Sequence, residues 1–232
     1  MLVMIGARKD GTKELLAVSD GERESALSWR ELLLDLKQRG MTDAPLLAIA
    51  DGALGFWKAC AEVWPSTRQQ ICWVHKTANV LDKLPKKLHG AAKEKLHAIY
   101  MAPSKADARA ALAMFKELYG SRYPRAVDSL ERVQDQLLTF FDFPAAHWQH
   151  IRSTNVIEST FGTIRHRQRR TKGNGSRKTA LAMVYKLAKE AEKSWRRLRN
   201  PAAVGMLLAG ARYVDGAPIF ITADEDQQRR AE

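Results

Sequence analysis

The chain is poor in cysteine and has no long hydrophobic run. Of its 232 residues only Cys60 and Cys72 are cysteines, too few for the disulfide framework of a small secreted domain and consistent with a reducing compartment. No apolar stretch approaches the roughly 20 residues that a membrane-spanning helix needs. The first residues also lack the basic leader of a signal peptide. We therefore predict a cytoplasmic protein with no membrane partner.

Several motifs of common enzyme classes are missing as well. The sequence contains no glycine-rich phosphate loop and no Ser-His-Asp order, so a small-molecule substrate is not indicated. Cys72 and His75 form a single C-x-x-H pair, whereas a structural zinc site needs about four ligands and no second pair has matching spacing. A buried cysteine at a strand end with a positioning histidine is the better interpretation of this pair.

What the chain does have is positive charge. Lys plus Arg number 38 against 26 Asp plus Glu, which gives a net charge of +12. Such an excess predicts a polyanionic partner, with nucleic acid as the first candidate, although an ordinary basic surface is the alternative. The excess is densest in a run without any acidic residue, which contains Arg165, Arg167, Arg169, Arg170, Lys172, Arg177 and Lys178. Gly173 and Gly175 predict a loop there, along which a phosphate backbone could run.

The apolar pattern changes along the chain. Residues 1–73 alternate short strands (1–5, 15–18, 46–50 and 68–73) with helices (24–39 and 53–63), which predicts an α/β layer. Residues 75–150 show only helical spacing, with helices predicted over 86–100, 104–119 and 123–140. Further helices are predicted over 155–166 and 178–199, and a frayed polar tail over 222–232.

Two acidic residues stand where they could hold a metal ion. Asp51 ends the apolar run 46–50, and the ends of central strands are where α/β proteins place ligands. Taken alone, Asp51 is more often a helix N-cap. Glu158 lies in the first turn of a helix that becomes strongly basic, where the helix dipole also favours an acid. Together the two carboxylates predict a divalent metal site beside a nucleic-acid backbone.

Five short segments in order resemble bacterial insertion-sequence transposases of the Mutator type. They are residues 50–52 (Ala-Asp-Gly), 72–75 (Cys-Trp-Val-His), 84–88 (Leu-Pro-Lys-Lys-Leu), 141–148 (Phe-Asp-Phe-Pro with His-Trp) and 154–158 (Thr-Asn-Val-Ile-Glu). The resemblance covers about residues 2–199.

The resemblance implies a fold and a set of site residues. It implies a ribonuclease-H-like mixed sheet flanked by helices, with a core formed by 1–73 and 151–199, an all-helical insertion over 74–150 and a C-terminal tail over 200–232. Asp51 and Glu158 match two of the family's three catalytic carboxylates, which bind two Mg²⁺ or Mn²⁺ ions. Cys72, His75 and Asn155 match residues that support that site. DNA (terminal inverted repeats and target) and a second copy in a homodimer are the implied partners.

The match departs from the family pattern at its start. The family's first Asp lies on a strand upstream of the one that Met1–Ile5 resembles, and Asp10-Gly11 and Asp20-Gly21 are turn signals rather than substitutes. We therefore expect an N-terminally truncated transposase with a missing first strand, unable to cut or join DNA alone. The alternatives are a non-enzymatic DNA-binding or regulatory remnant that pairs with full-length transposase, and a structure-specific nuclease on the same fold.

Overall fold

The computed structural model describes residues 1–20, 25–52, 54–170 and 176–219, without the side chains of residues 160, 163–165, 167–170 and 177. The strands are β1 (Leu2–Ala7), β2 (Lys13–Ser19), β3 (Leu47–Ala50), β4 (Arg68–Ile71), β5 (Arg212–Val214) and β6 (Ala217–Ile219). The helices are α1 (Ala26–Gln38), α2 (Leu54–Val63), α3 (Trp73–Leu81), α4 (His89–Tyr100), α5 (Lys105–Tyr119), α6 (Pro124–Glu131), α7 (Gln134–Leu137), α8 (Trp148–Ile151), α9 (Asn155–Arg170), α10 (Arg177–Glu192) and α11 (Pro201–Leu208).

The first part of the chain forms an α/β layer around its own core. β1 and β2 pair antiparallel across the predicted turn, where the backbone amide of Arg8 donates to Thr12 and Gly11 has φ +79°. Asp10 accepts from both the amide and the hydroxyl of Thr12, so this Asp-Gly is a turn, as predicted. Apolar side chains of α1 and α2, among them Leu33 and Cys60, are buried with those of the hairpin.

β3 and β4 form a second, parallel pair, joined by α2. Parallel strands bring their C-terminal ends to one edge, where ligand sites of α/β layers lie. Here β3 ends at Ala50 and β4 ends at Ile71, which are partners in the register. Asp51 and Cys72 therefore follow the two strands at the same edge.

The middle of the chain is helical and has a core of its own. Residues 75–150, all of which the structure describes, contain no strand, in agreement with the predicted pattern. α5 begins at the predicted signal, because the Ser104 side chain accepts from the amide of Asp107. Leu96, Phe115, Leu130 and Phe140 are among the buried residues of this core. The core continues into Ile71 and Trp73, so the helical region packs directly on the end of β4.

The predicted helix over 123–140 is wrong as a single element. It is broken into α6, α7 and a 3₁₀ turn (Thr139–Asp142). At the junction of α7 and the 3₁₀ turn, Gln70, fully buried on β4, bonds the backbone. Its amide nitrogen donates to the carbonyl of Leu137 (3.1 Å), and its amide oxygen accepts from the backbone amide of Phe140 (2.8 Å). These backbone groups are bonded across to β4 instead of continuing one helix.

α10 also ends earlier than the predicted 178–199, at Glu192. Beyond it the chain runs against the β1–β2 turn, where the amide of Leu198 donates to the carbonyl of Gly11 (2.9 Å). The Glu192 carboxylate accepts from the amide of Leu15 on β2 (2.8 Å), which fixes the end of α10 on the hairpin. Tertiary contacts thus end the helix where sequence periodicity would extend it.

Residues 201–219 fold further than the predicted tail. They form α11 and a β5–β6 hairpin whose turn residues, Asp215 and Gly216, both have positive φ. The hairpin docks on the helical region, since Gly216 exchanges backbone hydrogen bonds with Ala145 and Phe141. Asp-Gly between two short apolar runs is a hairpin signal that the sequence interpretation missed. The predicted frayed end, 222–232, lies outside the described residues.

The described strands form three separate two-stranded sheets in a mixed α/β structure. The ribonuclease-H-like sheet, the missing first strand and the domain boundaries therefore stay predictions. Within the described ranges, no helix combines the length and apolarity that crossing a bilayer requires. Both cysteines are free and buried.

The buried Gln70 generates a stability prediction. In Gln70→Leu the amide of Phe140 loses its partner in a dry core, which we expect to lower the free energy of unfolding by about 2 kcal/mol. Urea denaturation followed by circular dichroism measures the change. Gln69→Leu, a half-buried neighbour on the same strand, should stay within about 0.5 kcal/mol of wild type. Equal losses in the two variants would contradict the assigned role of Gln70.

Candidate active site at the β3–β4 edge

The site is built on the shared edge of β3 and β4. Immediately after β4, the backbone amide of Cys72 donates to the carbonyl of Ala50 (2.8 Å) and so continues the pairing by one residue. The Trp57 indole of α2 donates to the carbonyl of Asp51 (3.0 Å), which fixes the backbone that carries this half-buried carboxylate. Asp51 therefore lies directly beside Cys72 along the edge.

The C-x-x-H pair starts α3. Cys72 is the N-cap residue and is fully buried, while His75 lies in the first helical turn with its side chain 41% exposed. A three-residue step at the start of a helix brings the two side chains to one side of the helix. The sulfur is thus held inside the protein, and the imidazole beside it reaches solvent.

Glu158 arrives from α9. Residues 152–154 run past the start of α3, where the carbonyl of Arg152 accepts from the amide of Trp73 (2.9 Å). α9 then begins at Asn155 and carries Glu158 in its first turn, as predicted, with the side chain 37% exposed. On another side of α9, Ile157 and Phe161 line a small apolar pocket with residues of β1, β2 and α10. Packing on that side turns Glu158 toward α3.

Thr154 joins these side chains. Its hydroxyl lies 3.0 Å from Oε1 of Glu158, 3.3 Å from Sγ of Cys72 and 3.5 Å from Nδ1 of His75. Its backbone amide also donates to Sγ of Cys72 (3.3 Å). Nδ1 of His75 and Oε1 of Glu158 are 3.6 Å apart. The Thr154 hydroxyl has one proton for three acceptors, so it can strengthen any one of these contacts at a time.

Arg152 fixes the segment that carries Thr154. Its guanidinium donates to the carbonyls of Tyr100 and Trp148 and lies 5.2 Å from the Phe140 ring centroid. Burial in this setting lowers the pKa of the guanidinium. Trp148 itself packs edge-on against Phe140 and Phe141, so it belongs to a hydrophobic cluster. Arg152 and Thr154 were not among the predicted site residues. The feature that could have indicated them is their position just before the helix start that carries Glu158.

The structure therefore brings together three of the predicted site residues. One ligand atom each from Cys72, His75 and Glu158 lies within 4.8 Å of the other two. Asp51 is not part of this group of three. It directly follows Ala50, the last residue of β3, whose carbonyl accepts from the amide of Cys72. Asn155, expected to support the site, is exposed at the start of α9.

The predicted basic residues fall on the far part of α9 and on α10. Lys178 is exposed near the start of α10, whose N-cap is Ser176. Lys172 lies outside the described residues. For five of the predicted residues only the backbone is described, within α9 or α10: Arg165, Arg167, Arg169, Arg170 and Arg177. Their DNA-binding role stays a prediction.

Comparison with known proteins gives a consistent result. A family model described as "Transposase, Mutator family" matches residues 1–198. The chain is 51% identical over 231 residues to the transposase of insertion element IST2 from Acidithiobacillus ferrooxidans, which covers 100% of this chain and 78% of that protein. It is also 51% identical over 216 residues to the IS6120 transposase of Mycolicibacterium smegmatis, covering 93% and 67% of the two chains. A third relative, the ISRM5 transposase of Rhizobium meliloti, is 33% identical over 195 residues, 84% of this chain and 49% of that protein.

The central position of Thr154 is testable. Thr154→Val keeps the side-chain volume but removes the hydroxyl next to Glu158, Cys72 and His75. We expect the free energy of unfolding to fall by about 1 kcal/mol, the net value of one such hydrogen bond. Chemical denaturation measures it, with Thr77→Val, half-buried on α3 and outside the cluster, as the matched control. A Thr154→Val protein as stable as wild type would contradict the role assigned to this hydroxyl.

Proposed function

The chain belongs to the Mutator family of transposases, and from this premise we propose that its β3–β4 edge contributes the active site for DNA strand cleavage and strand transfer in insertion-sequence transposition. The observation that carries the proposal is the meeting of elements distant in sequence. Glu158, from the start of α9, reaches the edge where Asp51 and Cys72 follow two parallel strands. In this proposal the acid at the strand end and the acid at the helix start belong to one metal site.

Asp51 and Glu158 are the residues that would hold the metal ions. Both offer only oxygen ligands, the donor type that Mg²⁺ and Mn²⁺ prefer, and both side chains are partly exposed. When bound, two divalent ions activate a water or a 3′-hydroxyl and stabilise the leaving oxygen at phosphorus. In this proposal Thr154 and His75 orient the Glu158 carboxylate, through contacts of 3.0 and 3.6 Å.

DNA is the proposed substrate, as terminal repeats and as target. The net charge of +12 supports a polyanionic partner, and the basic residues of α9 and α10 follow Glu158 in sequence. A phosphate backbone bound there would lie next to the metal ligands. We also propose that the chain has a ribonuclease-H-like fold and acts as a homodimer on paired DNA ends. The antiparallel β1–β2 pair and the parallel β3–β4 pair support a mixed sheet of that kind.

Whether these 232 residues catalyse the reaction alone is a separate question. Strand transfer by this chain would show that it is active by itself. DNA binding without strand transfer, in this chain and in longer versions, would instead favour the regulatory remnant. Cleavage without joining would favour the nuclease.

The catalytic proposal is tested by a strand-transfer assay in Mg²⁺ or Mn²⁺. The assay compares the 232-residue chain with a version extended upstream in frame. We expect joining in the extended protein and its loss, by at least about 100-fold, in Asp51→Asn and in Glu158→Gln, because each removes a ligand charge from the metal site.

Glu190→Gln is the matched control for the strand-transfer assay. Glu190 is an exposed acid of α10 that pairs with Lys193, and its substitution changes the net charge by the same amount. It should leave strand transfer unchanged. Wild-type joining by the extended Glu158→Gln protein would overturn the assignment of Glu158.

The basic residues of α9 generate a binding prediction. Replacing Arg167, Arg169 and Arg170 with Gln should weaken binding to duplex DNA and flatten its salt dependence. If all three contact phosphates, the slope of log K against log salt should fall by about 2.7. Fluorescence anisotropy at several salt concentrations measures the slope.

A second triple variant controls for net charge in this binding experiment. Arg109, Arg122 and Arg132 are exposed residues of the helical region, and replacing them with Gln removes the same charge elsewhere. Their replacement should leave the slope near the wild-type value. Equal slopes for the two triple variants would mean that the α9 residues do not follow the DNA backbone.

A further inference from the structure

The cluster next to Asp51 contains ligand types that magnesium does not use. Of its three side chains, Cys72 offers sulfur, His75 offers nitrogen and only Glu158 offers oxygen. Mg²⁺ and Ca²⁺ are bound by oxygen, whereas sulfur and imidazole ligands select Zn²⁺ and related ions. We propose that Cys72, His75 and Glu158 form a three-ligand site for a thiophilic divalent ion of the Zn²⁺ type.

The distance between His75 and Glu158 suits one shared ion. Ligands of a tetrahedral zinc ion, at bond lengths of about 2.0–2.3 Å, lie roughly 3.3–3.8 Å from one another. Nδ1 of His75 and Oε1 of Glu158 are 3.6 Å apart, longer than a normal hydrogen bond but within that range. All three ligand atoms lie within 4.8 Å of one another. His75 and Glu158 are partly exposed, so their side chains have room to rotate around an ion.

The sulfur of Cys72 is held in a fixed position, while the side chains of His75 and Glu158 remain accessible to solvent. Cys72 is fully buried, and its backbone is fixed by the hydrogen bond to Ala50. Its Sγ accepts from the backbone amide of Thr154 and lies at the N-terminus of α3, at the base of the group formed with His75 and Glu158. His75 and Glu158, 41% and 37% exposed, form the open side through which an ion enters.

The charges balance as well. A thiolate and a carboxylate with a neutral imidazole carry two negative charges, which one divalent ion neutralises. Three protein ligands with a fourth position for water is the arrangement of catalytic rather than structural zinc sites. The C-x-x-H spacing alone did not indicate zinc, because the third ligand is supplied by α9, far along the chain.

Cobalt spectroscopy tests the site directly. Co²⁺ titrated into the 232-residue protein should give a sulfur-to-cobalt charge-transfer band in the near ultraviolet and the visible bands of tetrahedral cobalt, saturating at one ion per chain. Excess Zn²⁺ should remove both. Cys72→Ser should abolish the charge-transfer band, and His75→Gln and Glu158→Gln should each weaken Co²⁺ affinity at least about tenfold.

Cys60→Ser is the matched control in the cobalt experiment. Cys60 is buried in the α/β core, where burial raises the pKa of its thiol, and it should contribute nothing to the spectrum. His75→Gln and Glu158→Gln alter half-exposed side chains, so they keep the test valid if Cys72→Ser does not fold. No charge-transfer band in wild type, a band lost with Cys60, or unchanged affinity in Glu158→Gln would each overturn the site. None of these measurements depends on DNA, so the result is separate from that of the strand-transfer assay.

Discussion

The contact between Cys72 and Thr154 is the constraint on which the candidate site depends. It joins the end of β4 to the segment that leads into α9, after the whole helical region has intervened. The neighbouring bond from the Trp73 amide to the Arg152 carbonyl repeats the connection on the backbone. Without this junction, Glu158 would have no fixed position relative to Asp51. With it, a helix start and a strand edge form one surface.

The packing of the helical region sets this junction. Its core continues into Ile71 and Trp73, and Gln70 bonds its backbone from within β4. Arg152 is held by two carbonyls of the same region. Buried polar side chains with all their partners in place define one arrangement, because any shift leaves a donor or acceptor unsatisfied. The packing of the helical region therefore sets the distances between the site residues, although this region contributes no carboxylate to the site.

One carboxylate group in this surface can serve two kinds of metal chemistry. Glu158 shares an all-oxygen environment with Asp51 in the proposed transposition site, and a sulfur and nitrogen environment with Cys72 and His75 in the proposed zinc-type site. An ion of one class bound to Glu158 would reduce its availability to the other. Under the two proposals, metal preference at this edge depends on which neighbours the Glu158 side chain turns toward. The hydroxyl of Thr154 contacts Glu158, Cys72 and His75 alike.

The sequence by itself determined the alternation of elements and the family. Alternating apolar runs, the Ser104 cap, the turn at Asp10-Gly11 and the acidic start of α9 are local signals, and local hydrogen bonding and burial fix them. Only the tertiary structure decided where two helices end. After α10 the Glu192 carboxylate bonds β2 and the amide of Leu198 bonds Gly11, and after α7 the backbone of Leu137 and Phe140 bonds Gln70. The tertiary structure alone also decided that Glu158 joins Cys72 and His75, since no sequence spacing encodes which distant segment packs beside a strand end.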